Sequence, residues 1–130
     1  TVKYVGTSGV NFEKITPTEL VVSLPNKSKV RNHIGQIHAA ATTLLAETAT
    51  GIIVGVNIPD NKIPLMKTLK VDFIRRSKGK QTAVSTLSEE QINLIQTTDK
   101  GETLVPVKVT DETGQEVVKA EMLWAWILKK

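Results

Sequence analysis

Apolar and polar positions single out one stretch of the chain, residues 32–56, NHIGQIHAAATTLLAETATGIIVGV, which is long, rich in small side chains and formally charged only at Glu47. The pattern predicts a helix that begins near His38 or Ala39 and ends around Gly51 to Gly55, where glycine favours termination. At helical spacing Thr43, Glu47 and Thr50 share one stripe, while Ala41, Leu44, Leu45, Thr48 and Ile52 define a broader apolar side. Small residues at Ala40, Ala46, Ala49 and Gly51 let another backbone come close, which predicts a helix covered by a sheet. No lysine or arginine stands within four positions of Glu47 to pair with it. A carboxylate in an apolar setting costs several kcal/mol unless it is paired, hydrogen-bonded or reached by water, so Glu47 needs a reason to be there.

The remainder reads mainly as strands. Residues 1–10 carry little periodic signal and fit an extended lead-in or a frayed end. Residues 10–24 alternate, with Thr16 and Pro17 as an interruption, and fit one bent strand or two short ones. Residues 27–31 are a basic loop, and VNIPDNKIP after the helix reads as another loop. Residues 67–76 form a strand with Leu69, Val71 and Phe73 on one face and Lys70, Asp72 and Arg76 towards the other. A turn at 77–80 leads into a second strand, QTAVSTL. Ser88 followed three residues later by Gln91 is a capping box that opens a short helix. TLVPVKVT is then a strand, with Pro106 confined to an edge or a non-donating position, and DETG is a hairpin connection. The last strand sets Val118, Ala120, Met122, Trp124, Trp126 and Leu128 on one side, and a continuous apolar face at period two makes that side core rather than a ligand platform. The predicted fold is α+β, an antiparallel sheet wrapped around one long central helix.

Composition narrows the function classes. With 130 residues, 40% of them hydrophobic and 23% charged, the chain suits a single domain over 1–130. It contains no cysteine, which removes disulfides, thiolate zinc sites and cysteine nucleophiles and fits a reducing cytoplasm. No basic segment precedes an apolar run at the start, and the central stretch is too broken by polar residues for a membrane span. The net charge of +4 favours anionic partners. Nucleic acid fits poorly, because the basic residues are scattered and only five aromatic residues are present to stack on bases. A phosphorylated small molecule satisfies the same charge. His33 and His38 are five apart, which suits no helical metal pair, so no metal is expected.

The run Asn32-His33-Ile34-Gly35-Gln36-Ile37-His38, with an acid nine residues on at Glu47, resembles the N-x-x-G-x-x-H-G-G…D/E signature of hotdog-fold acyl-CoA thioesterases. The segment from Phe73 through Arg75, Arg76, Ser77 and Lys78 to Gly79 resembles a strand of the same family. The short inserted helix, DKGE turn, DETG hairpin and Trp-rich final strand are similar to its uncharacterised, PaaI-like branch. The resemblance implies a homodimer, open to pairing as a dimer of dimers, with each active site at the interface. There the helix start carrying Asn32, His38 and Ala39 from one protomer would meet Glu47 of the other. Backbone N–H groups at a helix N-terminus and the helix dipole suit a developing oxyanion. By resemblance the Ala39 N–H polarises the thioester carbonyl, Asn32 orients the reacting groups, and Glu47 activates water or attacks directly. Gly35, Thr43 and Thr50 fall to substrate binding, and Arg75, Arg76 and Lys78 to coenzyme A phosphates, which arginine can hold bidentately. Coenzyme A enters as part of the substrate, and no separate cofactor, nucleic acid or membrane is implied. The chain departs from the motif in having Ala39 and Ala40 where the family has two glycines, which keeps the donor but adds methyl groups. That departure leaves a second reading, a non-catalytic acyl-CoA or fatty-acyl binding dimer. A hydratase is disfavoured, since its Asp and His five residues apart do not occur in the helix region.

Overall fold

In a computed structural model the described residues are 10–24, 39–75 and 78–130. Eight elements follow in order: β1 (Asn11–Ile15), β2 (Glu19–Leu24), α1 (Ala39–Asn57), β3 (Lys62–Phe73), β4 (Gln81–Thr86), α2 (Glu89–Thr97), β5 (Gly101–Thr110) and β6 (Glu116–Leu128). The strands form one six-stranded sheet in the order β1-β2-β4-β5-β6-β3, antiparallel throughout. One face of that sheet covers α1, so the hotdog arrangement expected from the sequence is the fold observed. Leu20 and Val22 of β2, Ala83 of β4, Val105 and Val109 of β5, and Met122 and Trp126 of β6 close the core against Leu45, Ala49 and Ile53 of the helix.

The helix runs past both of its glycines to Asn57, further than expected. An interior glycine costs ~1 kcal/mol relative to alanine, whereas fully burying an aliphatic side chain returns ~1.5–3 kcal/mol. Ile53 and Val54, both fully buried, therefore outweigh Gly51 and Gly55. Asn57 closes the end by donating from Nδ2 to the Ile53 carbonyl at 2.9 Å and to the Pro17 carbonyl at 2.8 Å. The buried side also differs from the expected one. Leu44 is exposed, and the helix rests instead on Thr42, Leu45, Ala46, Ala49, Thr50 and Ile53. The alanines bring backbone to backbone, as the Ser85 hydroxyl of β4 shows by donating to the Ala49 carbonyl at 2.7 Å.

The other departure is β3. It starts at Lys62 rather than Lys67 and takes in Pro64, which an edge strand tolerates. Leu69 and Phe73 lie on its helix-facing side, opposite Met122 and Val118, but stay exposed, β3 being the last strand of the sheet among the described residues. The strand region 10–24 resolves into two strands joined at Thr16, whose hydroxyl and N–H bracket Glu19. Pro106 lies just beyond the Ser85–Val107 pairing, the last of the β4–β5 ladder. The predicted capping box of α2 is present, with Ser88 Oγ accepting from the Gln91 N–H at 3.1 Å and the Ser88 N–H donating to Gln91 Oε1 at 3.0 Å. At the other end of α2 the buried Lys62 ammonium donates to the carbonyls of Ile95 and Gln96. On β6, Val118, Ala120, Met122 and Trp126 are buried as expected, Trp124 is half-buried and Leu128 is exposed.

Candidate active site

α1 is described from Ala39, the residue whose N–H the resemblance assigns to the thioester carbonyl. From that end the helix leads to Glu47, two turns on and half-buried. Glu47 lies one turn before Thr50 and Gly51, which both meet β6, so it occupies the flank of α1 turned towards β6 and the edge strand β3. Its carboxylate makes no hydrogen bond or ion pair with any described residue. On the helix-facing side of β3 lie the exposed Leu69 and Phe73, and among the described residues β3 has no strand neighbour on its outer edge.

Thr50 is fully buried, and its hydroxyl is tied down within the chain. It accepts from the indole Nε1–H of Trp124 at 2.9 Å and lies 3.2 Å from the Ala46 carbonyl and 3.1 Å from the Glu47 carbonyl, to which it can donate. The expected partnership of Thr50 with Glu47 thus runs through the Glu47 backbone, and Thr50 holds the helix rather than facing a substrate. Thr43, on the same stripe, is half-buried and also hydrogen-bonded or otherwise engaged within the chain. The neighbouring Thr42 donates to Gln81 Oε1 at 2.9 Å, which fixes the start of α1 to the start of β4.

That contact sets the described beginning of α1 at the same end of the sheet as Arg75 and Lys78, which lie between β3 and β4. Arg75 and Lys78 are both exposed; Arg75 Nη1 donates to Gln115 Oε1 at 2.8 Å. The Lys78 N–H donates to Asp111 Oδ2 at 3.0 Å, which leaves the Lys78 side chain free to reach outward. Lys80 pairs with Glu13. Asn32, Gly35, His38 and Arg76 lie outside the described residues.

Trp124 packs against the core, as expected, and it also reaches Thr50, a tie that periodicity does not show. The signal was Gly51: a Cβ there would stand 3.1 Å from the Trp124 ring, so glycine lets the indole pass beneath the helix to Thr50. Among the described residues no group of three or more His, Cys, Asp or Glu side chains could hold a metal, and no helix is long and apolar enough to cross a membrane.

The model of a family described as "Domain of unknown function (DUF4442)" matches residues 1–127. Among solved structures, PA5026 of Pseudomonas aeruginosa, a protein of unknown function described as a probable thioesterase, superposes with a TM-score of 0.87 at 26% identity, over 98% of this chain and 88% of that one. The thioesterase SAV0944 of Staphylococcus aureus gives 0.80 at 20% identity over 96% and 98%. The thioesterase HI1161 of Haemophilus influenzae gives 0.78 at 15% identity over 96% and 82%. No curated protein matches the chain.

Proposed function

Since the chain belongs to the DUF4442 family and shares its hotdog fold with a probable thioesterase, we propose that it is a thioester hydrolase acting on acyl-CoA, with Glu47 activating the attacking water. The observation that carries this reading is the Glu47 carboxylate, half-buried on the flank of α1 with no partner among the described residues. In the reaction Glu47 takes a proton from water as the oxygen attacks the thioester carbonyl carbon. The tetrahedral oxyanion is met by the Ala39 N–H and the positive end of α1. Collapse breaks the C–S bond, and the departing thiolate takes up the proton held by Glu47.

Glu47 and Ala39 are eight residues apart on one helix, about 12 Å at 1.5 Å per residue, too far to act on one carbonyl. A second protomer supplies the missing half. Pairing of two β3 edges would cover Leu69 and Phe73 and set the start of one α1 beside Glu47 of the other. Arg75 and Lys78, at the helix-start end of the sheet, then suit the phosphates of coenzyme A.

The test is free-thiol release over short, medium, long and aromatic acyl-CoAs, for the wild type and Glu47→Ala. General-base catalysis contributes typically ~10²–10⁴-fold, and a loss of that order is expected in the variant. Equal rates in the two proteins would overturn the role of Glu47. The alanines at 39 and 40 favour a second reading, a binding protein without turnover, and tight acyl-CoA binding with no thiol release from the wild type would select it.

A further inference from the structure

The face of the sheet turned away from α1 carries a groove of about 600 Å³, remote in the fold from the helix flank that holds Glu47. It crosses four strands. Ala83 and Ser85 face the helix, so Val84 between them faces outward, and Lys108 does the same between the buried Val107 and Val109. In register across the groove, Val84 stands opposite Lys108, Lys108 opposite Lys119, and Lys119 opposite Asp72. In the next row Pro106 stands opposite Glu121 and Glu121 opposite Lys70.

Two like charges directly opposite each other across a strand pair are unfavourable. Lys119 and Lys70 each face an acid on the neighbouring strand. Lys108 does not: its cross-strand neighbours are Lys119 on one side and Val84 on the other. The ion pairs among the described residues are Lys14–Glu19, Lys67–Glu102 and Lys80–Glu13, so none of the groove's charged side chains is in one. Glu116 also lines the groove, at the β6 end near Lys108, and it too is unpaired. The apolar neighbours of Lys108 are Val84 across the ladder and Pro106 two residues away, and lysine stems extend that surface.

We propose that this groove binds a small amphipathic anion, its carboxylate or phosphate head between Lys108 and Lys119 and its aliphatic body over Val84 and Pro106. The volume lies within the ~300–1,000 Å³ of small-molecule sites, and its charged side chains, Lys108 and Lys119 among them, stand around an apolar strip of Val84, Pro106, Val107 and Ala120. The acids towards β3, Asp72 and Glu121, direct the head to the Lys108 side and the body towards β4. This site does not depend on the thioesterase reading.

The experiment is titration of the full chain with octyl phosphate, octanoate, octanol and inorganic phosphate, followed by calorimetry and backbone amide shifts. The two amphipathic anions are expected to bind, with shifts at Val84, Lys108 and Lys119, and the tighter of them identifies the head group. Lys108→Met is expected to weaken that binding at least tenfold while leaving Tm without ligand unchanged or higher, because it relieves the contact with Lys119. Glu47→Ala is expected to leave the affinity unchanged. Octanol or inorganic phosphate binding as tightly as octyl phosphate, an unchanged affinity in Lys108→Met, or a lowered Tm in that variant would each overturn the proposal.

Discussion

The indole N–H of Trp124 on β6 donates to Thr50 Oγ1 on α1 at 2.9 Å, and the same hydroxyl lies 3.1 Å from the carbonyl of Glu47. One side chain therefore links the sheet to the turn of helix that carries the proposed base. Thr50→Val keeps the shape and leaves the indole N–H without its acceptor. The expected cost is ~1–3 kcal/mol, the penalty for a buried donor left unsatisfied. Thiol release should fall with it, since the helix turn at Glu47 is no longer tied to β6. Denaturant unfolding followed by tryptophan fluorescence measures the first effect, and an unchanged midpoint would show that the bond carries no stability.

The two helical glycines predict opposite responses. At Gly55 an added Cβ meets nothing within 4 Å, so Gly55→Ala should gain ~0.5–1 kcal/mol from backbone entropy and helix propensity. At Gly51 the same Cβ stands 3.1 Å and 3.2 Å from the Trp124 ring, which is held by its bond to Thr50 and cannot withdraw freely. Overpacking of this kind costs ~1–3 kcal/mol, enough to cancel the propensity gain or exceed it. Thermal melts of the two variants should separate, with Gly51→Ala at or below the wild type. A matching rise in both would mean that Trp124 moves aside without cost.

Asp111 closes the β5–β6 hairpin and anchors the basic turn. Burial pushes its carboxyl up, but hydrogen bonds from the Thr113 hydroxyl and the N–H groups of Lys78, Thr113 and Gln115 win and hold it below the usual carboxylate value. Because the folded value is the lower one, the stabilisation is complete above the unfolded value of ~3.9 and is lost as pH falls through the folded value. Asp111→Ala should therefore cost ~1.5–3 kcal/mol at neutral pH, and the gap to the wild type should narrow below about pH 4. Urea unfolding at pH 7 and pH 3 tests both statements, and a gap constant with pH would contradict the charged hydrogen bonds.

The exposed pair Leu69 and Phe73 on the edge strand makes the proposed assembly testable. Leu69 is 47% and Phe73 55% exposed, on the helix-facing side of β3. A lysine there would place like charges across a two-fold β3 contact. Sedimentation should find a dimer in the wild type and monomer in Leu69→Lys, with thiol release lost together with the dimer. A monomeric wild type that still turns over acyl-CoA would overturn the shared site.

Much of the fold was legible in local pattern. Period two in residues 116–128, the Ser88–Gln91 capping box and the uncharged helix around Glu47 were enough to predict one helix under an antiparallel sheet. Each of those signals depends on neighbours a few residues away. The misreadings depended on distant partners. Gly51 and Gly55 argue for helix termination until Ile53 and Val54 are buried by strands, and Leu44 counts with the apolar side of α1 until the sheet settles on Leu45, Ala46 and Ala49.

The sequence by itself determined the elements, the isolation of Glu47 and its place one turn before Thr50, because helical and strand spacing are properties of the chain. Only the tertiary structure decided which side of α1 meets the sheet, that Thr50 answers to Trp124, and that Lys108 stands against Lys119 across a groove. Those relationships join residues tens of positions apart or on neighbouring strands, and packing and register fix them where local periodicity has nothing to say.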